Sequence, residues 1–155
     1  MKCLPSVEAR LRKHFGVEDL SAITGGHVAC FTPGPGKGFA RQSLPGNFYY
    51  DEFGCLWQGT DENVGQVKGH PLKDAALGGY TFPDAGDMAR TSGLPEFVER
   101  NRDNYIVVNL ELHTLLERAF NLRGMVALMM DMHDHPAFVG ELLDAIIEYD
   151  QELAR

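Results

Sequence analysis

Little in this sequence supports a disulfide framework, a membrane span or a polyanion-binding face. Its three cysteines, Cys3, Cys30 and Cys55, are odd in number, widely spaced and without a CxxC pair. No secretory leader precedes them, so a reduced, cytoplasmic setting is expected. The longest apolar runs, around Ile106–Val108 and Leu128–Met130, are a few residues, against the roughly 20 that cross a bilayer. Basic residues are scarce: 14 Lys and Arg against 22 Asp and Glu leave a net charge of −8. That balance opposes nucleic acid and anionic lipid, both of which need clustered cations, so neither nucleic acid nor membrane is expected as a partner.

What is present is ordinary for a folded chain: 155 residues, 44% hydrophobic and 23% charged, enough for one domain with its own core. Val7, Leu11 and Phe15 recur at helical spacing behind Pro5 and before Gly16, which predicts a short helix. A further helical turn is expected over Val17–Ile23, closed by Gly25 and Gly26, and then a strand over His27–Thr32. Seven glycines and prolines between Pro33 and Gly46 predict a long flexible loop. Phe48–Tyr50, Gly54–Gln58 and Gln66–His70 are expected to form a small hairpin or meander, with turns at Asp51-Glu52 and Asp61-Glu62-Asn63. His70–Asp87 reads mostly as loop, followed by a helix over Leu94–Arg102 opened by Pro95.

After Asp103 the pattern changes. Tyr105-Ile-Val-Val-Asn109 is a short β-branched run of the kind found in a parallel-sheet strand buried on both faces. Glu111–Arg123 then reads as a helix with Leu112, Leu115, Leu116 and Phe120 on its apolar side, ending at Gly124. Met125–Asp134 and a helix opened by Pro136 follow; the latter's apolar stripe, Phe138 to Leu153, needs a partner surface. This is the βα half of a βαβ unit without the strand that would accept the crossover. A closed (β/α)₈ barrel takes roughly 250 residues, so the expected fold class is α/β: a partial barrel in which residues 1–103 supply helices, loops and a hairpin, and 104–155 the first clear βα unit.

Several segments, in order, resemble the uroporphyrinogen decarboxylase family in its broad sense, which includes cobalamin-linked methyltransferases. They are Leu11-Arg-Lys-His-Phe-Gly-Val17, Tyr50-Asp-Glu-Phe-Gly-Cys-Leu-Trp57, His70-Pro-Leu72 with Tyr80-Thr-Phe-Pro-Asp84, and Tyr105-Ile-Val-Val. Leu116-Glu-Arg-Ala119, Leu122-Arg-Gly124 and Asp131–Pro136 complete the series, covering most of the chain from Leu11 onward. The resemblance implies a barrel with its site at the carboxyl ends of the strands, a tetrapyrrole or corrinoid ligand, and a lyase of porphyrin biosynthesis or a methyltransferase. Corrinoid or zinc is implied only for the methyltransferase branch with the rest of the fold present, so no cofactor is expected within this chain. The segment carrying the family's substrate-gripping arginines has no counterpart, and Arg10, Arg12 and Arg41 match none of them. The chain alone is expected to be inactive, a non-catalytic module completed by a second copy or another chain being the other reading.

The candidate cleft residues are Asp51, His70 and Tyr105. Gly34-Pro-Gly-Lys-Gly38 lacks the Ser or Thr of a phosphate loop and reads as a flexible loop. Asp51 and Glu52 are adjacent on an extended chain and would point apart, which favours turn or surface roles over a shared proton. Trp57 reads as a core anchor. Asp131, His133, Asp134 and His135 have the residue types of a metal site but the wrong helical spacing, and His113–Glu117 reads as a surface pair. Met125, Met129, Met130 and Met132 read as core filler.

Overall fold

The computed structural model describes residues 4–20, 23, 26–41, 43–60, 65–110 and 115–155. Helix α1 (Pro5–Phe15) starts on Pro5 and stops where Gly16 turns left-handed, φ 67°; its apolar stripe buries nothing. Of the expected helical turn at Val17–Ile23, residues 21 and 22 lie outside the described set, Glu18 is a bend and Leu20 a turn, and Ile23 is helical.

Strand β1 (Val28–Phe31) pairs in parallel with β6 (Tyr105–Val108), Ala29 opposite Ile106 and Phe31 opposite Val108. A second, antiparallel sheet runs β2 (Ser43–Leu44), β3 (Phe48–Tyr50), β4 (Leu56–Gln58), β5 (Gln66–Gly69) in chain order. The expected meander is therefore present, and β2 adds a strand inside what the sequence predicts as loop. Asn47 at φ 61° completes the tight β2–β3 turn, a conformation that Asn tolerates better than most residues. The turn expected at 61–63 lies outside the described residues. A 3₁₀ turn (Met88–Thr91) and helix α2 (Leu94–Arg100) lead back to β6.

Three helices finish the chain: α3 (Leu115–Arg123), α4 (Met125–Asp134) and α5 (Pro136–Leu153). The partner surface that α5 requires is internal. Phe138, Val139, Leu142, Ile146 and Tyr149 pack with Ala119 and Leu122 of α3, Leu128 of α4, and Tyr49, Phe53, Cys55, Trp57 and Leu72 from the meander side. This is a mixed α/β architecture with two small sheets and no closed barrel among the described residues.

Four expectations need correction. The β-branched run is not buried on both faces: Tyr105 is 73% exposed and Val107 and Val108 are exposed too, because a two-stranded sheet leaves most of its surface uncovered. Nor is it without a parallel neighbour in the chain, since β1 supplies one. The buried side of α3 is Arg118, Ala119, Asn121 and Leu122, while Leu115 and Leu116 are exposed. The methionines of α4 are not core filler: Met125, Met129, Met130 and Met132 all face outward, and α4 buries Leu128 and Asp131 instead.

Candidate functional site

The connections that leave the parallel strands define a cleft of about 470 Å³. Thr32–Pro35 follow the carboxyl end of β1 and Leu110 that of β6, and both line it, together with Tyr49, Asp51, Glu52, Phe53, Trp57, Arg41, Arg90 and Arg118. Its volume lies in the usual range for small-molecule sites, about 300–1,000 Å³. Its position, beyond the carboxyl ends of parallel strands, is where α/β folds place ligands.

One wall is held by a buried ion pair. Arg90 donates to both oxygens of Glu52, at 3.0 and 2.8 Å, and through Nε to the Asp84 carbonyl at 2.8 Å. The Glu52 hydrogen bond, the largest influence, holds the Arg90 pKa above its ordinary value despite burial. The 33–38 segment, expected to be flexible, is tied to this pair: the Gly34 amide donates to the Arg90 carbonyl at 2.9 Å, the Gly36 amide to Glu52 at 3.3 Å, and the Lys37 amide to Asp87. Backbone amides that would otherwise need water thereby find carboxylate acceptors, which fixes the loop's path.

Asp51 is engaged differently. Its carboxylate accepts the amides of Phe53 and Cys55, at 3.0 and 2.8 Å, and the Trp57 indole N–H at 2.8 Å. The turn it closes is completed by Gly54 at φ 78°. Asp51 and Glu52 are both half-buried and both reach the cleft, but each carboxylate has its own partners, and neither takes the surface role open to them in the sequence.

Two guanidiniums lie against aromatic faces. Arg41 sits 4.1 Å from the centre of the Tyr49 ring and Arg118 3.5 Å from that of Phe53. Such stacking fixes the position of a cation over a ring face. Burial raises the Tyr49 pKa, and the nearby Arg41 lowers it in part; the phenol is neutral at physiological pH. Burial also raises Asp150, offset in part by Arg118.

Of the three cleft residues expected from the sequence, only Asp51 lines the cleft. Tyr105 begins β6, at the end away from it, its amide bonded to the His27 carbonyl at 2.6 Å. His70 instead closes helix α3: its Nδ1 lies 2.8 Å from the Asn121 carbonyl, to which the buried Cys55 thiol also donates at 3.2 Å. The Leu72 amide takes the next carbonyl, Leu122, at 3.0 Å. Cys55, His70 and Leu72 thus satisfy last-turn acceptors that every helix leaves open. Gly124 sits at φ 93°, a backbone that favours glycine, and a Cβ there would also meet the His70 ring at 3.1 Å. Arg41, Arg90 and Arg118 carry no local signal of their location in the sequence; only packing brings them together.

His133 bonds its neighbour Asp134 at 2.9 Å on the exposed end of α4, while Asp131 is buried against Arg123 at 2.7 Å. Among the described residues no group of three or more His, Cys, Asp or Glu is placed to hold a metal. The pair His113–Glu117 lies partly outside them. No described helix is long and apolar enough to cross a membrane. Compared with known proteins, the chain matches no family model, no curated protein and no solved structure.

Proposed function

We propose that the cleft is the ligand site of a (β/α)-type enzyme and that it takes an anionic, partly planar small molecule. More particularly, the chain is read as the amino-terminal part of a uroporphyrinogen decarboxylase-like enzyme, a partial (β/α)₈ barrel contributing one wall of a tetrapyrrole site. The observation that carries this reading is the placement of Arg41 beside the Tyr49 ring, in a cleft at the carboxyl ends of both parallel strands. Guanidiniums suit carboxylates and aromatic rings suit a flat pyrrolic surface. At about 470 Å³ the cleft admits one carboxylate-bearing edge of a macrocycle rather than the whole.

The chain alone then binds without turning over, because among the described residues its parallel sheet has only two strands. Trp57, the single tryptophan, lines the cleft and reports on it. Titration with uroporphyrin should quench its fluorescence saturably. Arg41→Ala should weaken that binding, and Arg41→Lys should restore part of it. Absence of saturable quenching, or equal binding by Arg41→Ala, overturns the ligand reading. Enzyme-like turnover of uroporphyrinogen or methylcobalamin by the chain alone overturns the incomplete-site reading. A non-catalytic module completed by a partner is the second reading, favoured by the pairing of β1 and β6 with no strand but each other among the described residues.

A further inference from the structure

Arg41 reaches the cleft from the far end of the loop that follows β1. The first half of that loop is pinned. The Gly34 amide donates to the Arg90 carbonyl and the Gly36 amide to Glu52, and a Cβ on Gly36 would stand 3.2 Å from the Arg90 guanidinium and 3.4 Å from the Asp87 carboxylate. The second half has fewer ties. Gly38 is left-handed, φ 83°, with nothing within 4 Å of where a Cβ would stand, and the Phe39 amide bonds back to Gly36 within the same loop. Among the described residues, the one hydrogen bond that ties 37–41 to the chain outside 33–41 is that of the Lys37 amide to Asp87. The next fixed point is Ser43, paired in β2 with Tyr49, the residue whose ring Arg41 covers. Arg41 thus stands in a short span with Asp87 holding one end and the β2–β3 pairing the other.

We propose that Asp87 is a positioning residue of the cleft: by holding the Lys37 amide it keeps Arg41 over Tyr49, where the guanidinium meets the ligand's carboxylate. What Arg41 meets rests on the ligand reading above; that Asp87 holds the span does not. The carboxylate serves two partners through separate oxygens. Oδ1 accepts the Ala89 amide at 2.9 Å as the cap of the 3₁₀ turn, and Oδ2 accepts the Lys37 amide. That turn carries Arg90, whose guanidinium holds Glu52, so one residue sets the ligand-facing cation against the rigid wall of the cleft. The two amides also hold the Asp87 carboxyl below its ordinary range, which keeps it ionised and accepting at neutral pH. The benefit is in binding entropy. A long, exposed side chain loses freedom when it engages a ligand, and a backbone already fixed beneath it lowers that loss.

Asp87→Ser separates the two roles, because serine is itself a good cap and keeps an acceptor for Ala89, while its single oxygen leaves none for Lys37. In hydrogen exchange read by mass spectrometry without ligand, the stretch 36–41 should exchange faster in Asp87→Ser and the stretch 88–92 at the same rate as in the unaltered protein. In the uroporphyrin titration, Asp87→Ser should weaken binding by roughly threefold to tenfold, the range of one lost hydrogen bond. In an Arg41→Ala background the same substitution should weaken binding further by less than about twofold, since residues that act through one another are not additive. Unchanged exchange over 36–41 overturns the fastening, whether or not uroporphyrin binds. Faster exchange with binding intact, or an equal loss with and without Arg41, overturns the positioning of Arg41. Loosening of 36–41 in Asp87→Ser, with no binding of uroporphyrin by the unaltered protein, overturns the ligand reading and upholds the fastening.

Discussion

Replacing Glu52 with alanine tests how the cleft wall is held. The side chains of Arg90 and Glu52 are 3% and 17% exposed, so the cation is buried and depends on a carboxylate that is only partly in water. The other groups bonded to the guanidinium, the carbonyls of Asp84 and Gly34, are neutral. Removing the carboxylate leaves the buried cation with neutral hydrogen-bond acceptors and only the unbonded Asp87 charge nearby, and takes from the Gly36 amide its acceptor. Breaking a buried pair by removing one partner costs roughly 3–5 kcal/mol, a large share of the 5–15 kcal/mol or so that holds a typical domain together. Urea unfolding followed by circular dichroism and Trp57 fluorescence measures the loss as a lower midpoint at unchanged slope. The companion variant, Glu52→Leu with Arg90→Met, removes the stranded charge as well as its partner. It should recover much of the stability, since apolar replacement of a buried pair is often neutral or better. A loss below about 1 kcal/mol for Glu52→Ala, well under that expected for a broken buried pair, or a double variant weaker than the single, would refute the reasoning.

Two further outcomes follow from the same contacts. Asp87 accepts the amides of Ala89 and Lys37, which hold its pKa below the ordinary 3.8. A depressed acid contributes stability above its unfolded value and loses it as pH falls through the folded one, so Asp87→Ala should flatten the acid limb of a stability-against-pH curve below about pH 4 and leave its shape near neutrality unchanged. Cys30 is exposed, whereas burial, first, and the neighbouring Asp51 push the Cys55 thiol pKa well up. Iodoacetamide should therefore label Cys30 in the native protein and Cys55 only in urea, as peptide mapping by mass spectrometry would show; rapid native labelling of Cys55 would contradict its placement in the core.

Local chemistry explains which parts of the fold were legible in the sequence. Pro5, Pro95 and Pro136 opened helices and Gly16 closed one, because their backbone preferences act within one turn whatever surrounds them. The meander was legible from its short extended runs and turn residues. Burial was not: the apolar pattern of 105–108 and of 125–132 is the same whether a surface is covered within the chain or left open, and hydrophobicity alone favours covered. That is why β6 and the methionines of α4 were expected inside and lie outside. The ion pair Arg90–Glu52 spans 38 residues, and no local rule announces a contact at that separation.

The motifs that carried the family resemblance also hold the fold together. Asp51, Gly54 and Trp57 close one turn; Tyr80 donates to the Phe53 carbonyl at 2.9 Å, and Phe82 stands edge-on to the Phe53 ring. His70 and Leu72 cap α3, Gly124 makes room for His70, and Arg123 joins Asp131 to the Lys73 carbonyl at 2.6 Å. Stretches far apart in sequence thus interlock around Phe53 and the end of α3. Residues with this many directional partners tolerate few replacements, so a scaffold leaves as distinct a pattern in the sequence as a reaction centre does. The group best placed to meet a ligand, Arg41, lies against the Tyr49 ring face, a contact that demands only a cation and an aromatic. A contact so permissive leaves a faint trace in the sequence, and the cleft had to be found from the folded chain.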